Sequence, residues 1–313
     1  MDPVPAEGPA DFDTPAPRMA RPQRPRELQD PLNHYLYHPL AWQVARVLAH
    51  TPITPNMVSV VGAGFVVAAG LAYTQLTWPL AAALGMMLHM TWHIVDGADG
   101  DLARLTGRSS PIGEMVDGLC DYLSHVVLYL LLAAMLAQST GLFSGWLAWV
   151  LVVGAGISHA LQANHVEVQR RQYQWWVYGT PWLRNSHDKE GSATSRSWAG
   201  KLVSSYIAVA SGMTPEALRV DAAIQQAHGD QARLAEIARA VRDEAPPLLL
   251  LCKVLGPNPR AIILGLSMVA GSPVWYLLYQ AIFLNLLLIY SVRAHNAAAR
   301  RIAAKIGVSR AAR

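Results

Sequence analysis

The hydrophobic positions of this chain gather into long runs without an acidic or basic side chain. Residues 47–95 and 122–166 form two such runs, of 49 and 45 residues, and residues 261–292 form a third of 32. A membrane-spanning helix needs about 20 consecutive apolar residues, so each of the first two runs is long enough for two crossings. The pattern therefore predicts an all-α integral membrane protein.

We predict about six transmembrane helices, preceded by an amphipathic helix at the membrane surface. The surface helix covers residues 28–50, where apolar and polar side chains recur at helical spacing. The predicted spans lie at about residues 56–74, 78–95, 112–136, 142–163, somewhere within 247–270, and 274–292. The fifth is the least regular, because Lys253 and two prolines interrupt its apolar pattern.

The distribution of Lys and Arg predicts the orientation of these helices. The short connections after the first, third and fifth spans carry neither residue. Basic residues lie instead in the N-terminal tail, in the turn near Arg104 and Arg108, in the polar segment 167–246 and in the C-terminal tail. By the positive-inside rule, these segments and both termini are cytoplasmic. We expect an inner membrane of the bacterial type.

The same features divide the chain into five segments. We predict a disordered cytoplasmic tail, a motif-bearing helical segment, a polar cytoplasmic insert, a final pair of spans and a basic cytoplasmic tail. Their bounds are residues 1–27, 28–166, 167–246, 247–293 and 294–313. Within the insert, an aromatic and basic stretch ending at Trp182 suits the lipid headgroup layer, and residues 230–244 predict a helix with Glu236 paired to Arg239.

Composition excludes several other classes of protein. Only 15% of the residues are charged and 52% are hydrophobic, whereas soluble domains carry about 25% charged residues. A soluble enzyme, a disordered protein and a nucleic-acid partner are therefore not expected, and the net charge of +4 suits contact with anionic lipid. Cys120 and Cys252 are too few for a disulfide framework or a zinc cluster.

Four aspartates concentrate beside the second and third predicted spans. Asp96 and Asp99 are three residues apart, and Asp117 and Asp121 are four apart, so each pair shares one helical face. A tight turn around residues 107–111 would make the two helices antiparallel. We therefore expect the four carboxylates to converge at the cytoplasmic membrane boundary.

Divalent cations explain such a cluster better than salt bridges. Four anions at a membrane boundary repel one another, and only Arg104 and Arg108 are close in sequence. An all-oxygen ligand set selects Mg²⁺ or Mn²⁺, and two ions about 4 Å apart would polarise a diphosphate. Gly100 and Gly113 leave space for such a ligand, and Arg104 can neutralise phosphate. His89 and His93 also have metal-ligand spacing, but hydrogen bonds between helices are the favoured interpretation for them.

The spacing Asp-x2-Asp-Gly-x2-Ala-Arg-x8-Gly-x3-Asp-x3-Asp, at residues 96–121, resembles the motif of the CDP-alcohol phosphotransferase (CDP-alcohol phosphatidyltransferase) family. The resemblance implies a membrane transferase of phospholipid biosynthesis that passes the substituted phosphate of a CDP-alcohol to an acceptor alcohol and releases CMP. A homodimer is compatible with it.

The resemblance also implies roles for individual residues. Asp96, Asp99, Asp117 and Asp121 would bind the metal ions, and Asp121 would be the general base. The substrate-binding residues would be Gly100, Ala103, Arg104, Gly113 and Asn56, of which the three small residues would line the cytidine site.

The identity of the donor separates two further hypotheses. Residues 109–114, with Cys120 and Asp121, look similar to choline and ethanolamine phosphotransferases, whereas residues 96–101 look more like enzymes that use CDP-inositol. Tyr122 follows the last aspartate where enzymes with phosphorylated acceptors often have Lys or Arg. We therefore favour a CDP-linked headgroup as donor and a lipid alcohol as acceptor. The alternative is CDP-diacylglycerol with a soluble alcohol.

A cation-binding membrane transporter is the alternative from another class of protein. Ionisable residues within spans often mark ion pathways. Here the acidic residues gather at one predicted membrane face and no inverted repeat is visible, which favours the enzyme.

Overall fold

Helices account for the regular structure of the described residues. The computed structural model describes residues 24–180, 208–209 and 212–307. Its α-helices are α1 (His38–Leu48), α2 (Pro55–Gln75), α3 (Leu80–Leu105), α4 (Pro111–Ala137), α5 (Trp146–Tyr178), α6 (Ala217–Gln226), α7 (Gln231–Val254), α8 (Pro257–Val269), α9 (Val274–Leu278) and α10 (Leu284–Lys305). The predicted all-α class is confirmed. Most of the predicted N-terminal tail, Trp182 and the end of the basic tail lie outside the described residues.

Five segments of described helix are long and apolar enough to cross a membrane. They are Pro55–Gln75, Gly113–Ala137, Trp146–Tyr178, Gln231–Val269 and Val274–Lys305. Helix α3, which contains the predicted second span, is less apolar because His89, His93 and Asp96 interrupt its run of hydrophobic residues. The chain is an integral membrane protein, while the count of six spans and the cytoplasmic placement of the termini stay predictions.

Two helices continue past the ends that the sequence predicts. The fourth predicted span ends near residue 163, whereas α5 continues to Tyr178. Glu167 pairs with Arg170 and Arg171 one turn later, and such pairs support a helix where the apolar pattern stops. The predicted helix 230–244 likewise continues to Val254. The polar segment 167–246 therefore begins and ends inside long helices.

One predicted ion pair is formed with a different partner. Glu236 accepts a hydrogen bond from Arg233 at 2.6 Å, whereas the Arg239 side chain donates to the carbonyl oxygen of Ala235. Both arginines lie three residues from Glu236, so helical spacing allows either pair. Sequence spacing alone could not choose between them.

Helix caps fix the boundaries of the helices around the aspartates. The Thr54 side chain accepts a hydrogen bond from the Met57 amide at the start of α2. The Ser110 side chain accepts one from the Gly113 amide at 3.0 Å, which begins α4. Gly107 has φ +65°, a conformation that favours glycine, directly after α3. The short turn between α3 and α4 thus agrees with the predicted one.

Two large hydrophobic clusters, and a smaller one that packs α1 against α2 and α3, hold the described helices together. The larger cluster lies among α2, α3, α4, α5, α8 and α9 and includes Val66, Tyr73, Leu128, Leu132, Leu264 and Leu277. The second joins the end of α5 to α6, α7 and the end of α10, with Tyr173, Val220, Ile224, Ile237 and Ile302. The larger cluster packs the helices that carry the aspartates.

Candidate functional site

A cluster of carboxylates lies between α3 and α4. Asp96 of α3 and Asp117 and Asp121 of α4 each offer an oxygen, and these oxygens lie within 4.8 Å of one another. All three residues are half-buried. The antiparallel arrangement of α3 and α4 thus brings together three of the four aspartates that the sequence singles out.

The fourth aspartate lies next to this cluster but is held by a hydroxyl group from α2. Asp99 is buried, and its Oδ2 accepts a hydrogen bond of 2.5 Å from the Ser59 hydroxyl. Its carboxyl group also adjoins that of Asp117. The orientation of Asp99 therefore depends on a side chain 40 residues away in sequence.

Asp121 is held by an indole group from the neighbouring helix. Trp92 of α3 donates its Nε1–H to Asp121 Oδ1 at 3.0 Å, and Asp96 adjoins the same carboxyl group. Trp92 itself is buried in the larger hydrophobic cluster. Because a packed indole has little freedom, this contact fixes the orientation of the Asp121 carboxyl group.

Four of the five predicted substrate-binding residues form two neighbouring pairs. A Cβ atom at Gly113 would lie 3.6 Å from Asn56 Oδ1, so these two residues are neighbours. The Arg104 guanidinium lies 3.4 Å from the place where a Gly100 Cβ would stand. Ala103 is half-buried on the same helix. Their contacts with substrate stay predictions.

The donor atoms of this cluster suit a hard divalent cation. In the part of the chain that the structure describes, Asp96, Asp117 and Asp121 form no ion pair with Lys or Arg. Three adjacent carboxylates without a counter-charge are unfavourable unless a cation or protons neutralise them. Oxygen ligands of this kind suit Mg²⁺ or Mn²⁺. The residues present therefore fit a divalent metal ion.

The histidines do not join this set. Among the described residues, the groups that could hold a metal ion include only the three aspartates. His89 and His93 instead stack with near-parallel rings, 6.3 Å apart. Within the described part of the chain, His89 Nδ1 and His93 Nε2 are buried without a hydrogen-bond partner, so the hydrogen bonds expected between helices are not seen at these atoms.

A buried polar network lies one turn beyond Asp121. The sequence did not predict it. His125 contacts the Asp121 carbonyl oxygen at 2.8 Å, and its ring meets that of His159. Tyr129 hydrogen-bonds both His159 and Tyr276. Arg260 is also buried here, with Gln162 as a hydrogen-bond partner. Polar residues inside apolar runs were the available signal, but they lie on four separate helices, α4, α5, α8 and α9.

The N-terminal strap, which we define as residues 24–30, lies against the same end of α3. Arg24 donates to Asp101 Oδ1 at 2.6 Å, and Glu27 accepts hydrogen bonds from Tyr173 and Tyr178. Burial lowers the pKa of the Arg24 guanidinium, while the Asp101 carboxylate opposes that shift. Burial raises the pKa of the Glu27 carboxyl, but the hydrogen bonds from the tyrosines outweigh it and hold that pKa below its usual value.

The fold and this site define a membrane-embedded helical protein with a carboxylate centre suited to a divalent metal ion. A sequence model of one family, described as CDP-alcohol phosphatidyltransferase, matches residues 52–213. The match covers more than half of the chain and contains every aspartate of the centre. The chain therefore belongs to the CDP-alcohol phosphatidyltransferase family. Members of this family are transferases of phosphate-containing groups in membrane phospholipid synthesis.

Three curated proteins are similar to parts of the chain. Ceramide phosphoethanolamine synthase of Drosophila melanogaster is 37% identical over 115 residues, which are 33% of this chain and 29% of that protein. Cholinephosphotransferase 1 of Xenopus laevis is 32% identical over 83 residues, or 26% and 19% of the two chains. Inner membrane protein YnjF of Escherichia coli (strain K12) is 32% identical over 136 residues, or 42% and 63%. The chain thus spans less than two thirds of each relative.

Proposed function

We propose that the protein is a metal-dependent phosphotransferase that transfers the substituted phosphate of a CDP-alcohol to an acceptor alcohol. In this reaction, the bond between the bridging oxygen and the distal phosphorus of the diphosphate breaks. The acceptor oxygen forms a new bond to that phosphorus, CMP leaves, and the proton of the acceptor hydroxyl passes to a base. The observation that carries this proposal is the carboxylate cluster of Asp96, Asp117 and Asp121 in a family of such transferases.

The four aspartates would divide the binding of metal and the handling of the proton. Asp96, Asp99 and Asp117 would hold one or two Mg²⁺ or Mn²⁺ ions, with Asp121 as a further ligand. When bound, the metal would neutralise charge on the diphosphate. Asp121 would accept the proton of the acceptor hydroxyl, since Trp92 occupies only one of its oxygens.

The remaining predicted site residues would orient the nucleotide. Gly100, Ala103 and Gly113 would leave room for the cytidine portion, with Asn56 as a neighbour of Gly113. Arg104 would bind phosphate, because its guanidinium group lies beside Gly100 on the face of α3 that also carries Asp96. Such placement would fix the leaving phosphate relative to the attacking hydroxyl.

We favour a CDP-linked headgroup as donor and a lipid alcohol as acceptor. The names of two relatives specify a choline phosphate transfer and a ceramide phosphoethanolamine product, which agrees with the motif features at residues 109–114. Tyr122 supplies no positive charge for a phosphorylated acceptor. CDP-diacylglycerol with a soluble alcohol is the alternative donor and acceptor pair.

Release of CMP by the purified protein in detergent tests this proposal. The donors are CDP-choline, CDP-ethanolamine, CDP-inositol and CDP-diacylglycerol, each with lipid and soluble acceptors, with and without Mg²⁺ or Mn²⁺. We expect metal-dependent CMP release from a CDP-headgroup donor with diacylglycerol or ceramide. Release from CDP-diacylglycerol alone would overturn the donor assignment. Metal binding without CMP release from any donor would favour the transporter.

A further inference from the structure

Asp101 is a buried carboxylate shared by two arginines, one of which lies far away in sequence. Arg24 in the N-terminal strap donates to Asp101 Oδ1 at 2.6 Å, and Arg104, three residues after Asp101, donates to the same oxygen. The Asp101 side chain is only 3% exposed, whereas that of Arg104 is 48% exposed. The carboxylate is thus inside the protein, and Arg104 lies at the surface.

These three side chains, the Arg24–Asp101–Arg104 triad, carry a net positive charge. Two guanidinium groups and one carboxylate sum to +1, because arginine stays protonated in proteins. Without Arg24, the remaining pair of Asp101 and Arg104 would be neutral. Arg24 therefore leaves one positive charge uncompensated at this end of α3.

Arg104 lies on the same helix as Asp96 of the carboxylate cluster, two turns further along. Positions 96, 100 and 104 are four residues apart and share one face of α3. The Arg104 guanidinium lies next to Gly100, where a Cβ atom would stand 3.4 Å from its nitrogens. A diphosphate bound by metal at Asp96 would therefore approach Arg104 along this face.

We propose that Arg24 is a positioning residue for the CDP-alcohol donor. Arg24 neutralises the charge of Asp101, so that the positive charge of Arg104 stays available for the diphosphate. This inference rests on the proposed function. It assigns to the N-terminal strap a part in donor binding, although the strap lies before the matched residues 52–213. Arg24 acts through Arg104 and does not itself have to touch the donor.

The rest of the strap is anchored in a way that holds Arg24 in place. Glu27 accepts hydrogen bonds from Tyr173 and Tyr178 at the end of α5. Asp30 accepts one from Asn258 at the start of α8, at 2.8 Å. Gln29 donates to the Arg24 carbonyl oxygen at 2.8 Å. The strap therefore joins the motif helix α3 to the C-terminal helices.

A charge-rescue experiment separates this role from a purely structural one. Four forms are compared in detergent: the wild type, Arg24→Gln, Asp101→Asn and the double variant. Their triads carry charges of +1, 0, +2 and +1. The CMP-release assay gives KM for the donor and kcat, and thermal unfolding monitors folding. Arg26→Gln is the matched control, because Arg26 is exposed in the same strap and binds the Gln29 carbonyl oxygen instead of Asp101.

We expect Arg24→Gln to raise KM for the donor about tenfold, with a smaller change in kcat, and to weaken the dependence of KM on salt. The double variant should return KM towards the wild-type value, because removing the Asp101 charge restores the net charge of +1. Arg26→Gln should leave KM unchanged. A double variant no better than Arg24→Gln, or an Arg24→Gln KM equal to that of the wild type, would overturn the inference.

Failure of this inference can be told from failure of the proposed function. If the wild type releases no CMP from any donor, the function itself is wrong. If the wild type is active and the charge rescue fails, only the role of Arg24 is wrong. Should Arg24→Gln not fold, Glu27→Ala removes the strap's contacts with Tyr173 and Tyr178 and so loosens Arg24, while the three residues of the triad stay unmutated. It should then raise KM in the same direction, and an unchanged KM would contradict the inference.

Discussion

Asp99 is buried, and a hydroxyl group from another helix helps to orient it. Ser59 is the donor, at 2.5 Å from Asp99 Oδ2, and it comes from α2 instead of from the motif helices. Groups that orient metal-binding carboxylates commonly influence metal affinity as strongly as some ligands do. Ser59 is therefore the residue outside the motif that we expect to matter most for metal binding.

Replacement of Ser59 by alanine tests this expectation. Ser59→Ala removes the hydrogen bond to Asp99 and should raise the Mg²⁺ or Mn²⁺ concentration for half-maximal CMP release by about tenfold, within the usual effect of such orienting groups. The measurement is a metal titration of CMP release at saturating donor. Thr91→Ala is a suitable control, because its hydroxyl group donates within its own helix, to the Met87 carbonyl oxygen. Equal metal dependence of Ser59→Ala and the wild type would contradict the role of Ser59.

The role of Asp121 as general base can be tested by changing one atom of its side chain. Asp121→Asn keeps the size of the side chain and an acceptor for Trp92 but cannot take up a proton. We expect turnover to be abolished, since general base catalysis contributes about 10²–10⁴-fold, while binding of the CDP donor is largely kept. Single-turnover CMP release and equilibrium binding of the donor measure the two effects. Loss of donor binding with unchanged turnover per bound donor would argue against Asp121 as the base.

For individual residues, the sequence predicted which aspartates lie together, but it did not predict their hydrogen-bond partners. Asp96, Asp117 and Asp121 could be grouped because helical spacing and one short turn relate them directly. Ser59, Trp92 and Arg24 could not be assigned, because they lie 40, 29 and 77 residues from the carboxylates that they contact. Only tertiary packing determines those pairs.

Among the helices, α2 and α3 are in especially close contact where a glycine meets an aromatic ring. A Cβ atom at Gly85 of α3 would overlap the ring of Tyr73 on α2. Tyr73 is 2% exposed and belongs to the larger hydrophobic cluster, so its ring has little space into which it could move. Small residues at helix contacts allow such approach in membranes.

This contact predicts a large effect from one methyl group. Gly85→Ala should destabilise the protein by about 1–3 kcal/mol, the usual cost of overpacking, and lower its thermal unfolding temperature in detergent. Gly64→Ala is the matched control on α2, because no described atom beyond the nearby backbone of α2 itself lies within 4 Å of the position of its Cβ. Identical unfolding temperatures for the two variants would show that α2 and α3 do not pack closely at Gly85.

The positions of the helices were predictable to a larger extent than their lengths. Apolar runs located α2 and α4 closely, and caps at Thr54 and Ser110 fix their first turns. The ends of α5 and α7 were predicted wrongly. The prediction placed them where the hydropathy of the sequence changes, but the backbone hydrogen bonds of both helices continue beyond those points. Pairs such as Glu167 with Arg170 sustain the helix there.

For the whole molecule, the charge distribution makes a prediction about orientation. The turn with Arg108, between α3 and α4, should face the cytoplasm, and the connection with Ser139, between α4 and α5, should face the opposite side. Both connections are exposed. Since one helix separates them, they must lie on opposite sides if α4 crosses the bilayer.

Labelling of single cysteines in intact cells measures this orientation. In an active background without Cys120 and Cys252, Ser139→Cys should react with a membrane-impermeant maleimide, and Arg108→Cys should react only after the membrane is opened. Arg108→Cys labelled in intact cells, with Ser139→Cys protected, would reverse the predicted orientation. Labelling of both from outside would show that α4 does not span the bilayer.

The sequence by itself determined that this is a helical membrane protein with aspartates gathered near one turn, and it also determined the family. These features depend on local composition and on helical periodicity, which neighbouring residues specify directly. Tertiary structure alone decided that Ser59 holds Asp99, that Trp92 holds Asp121 and that Arg24 shares Asp101 with Arg104. Each of these contacts joins distant segments, so it exists only once the helices have packed.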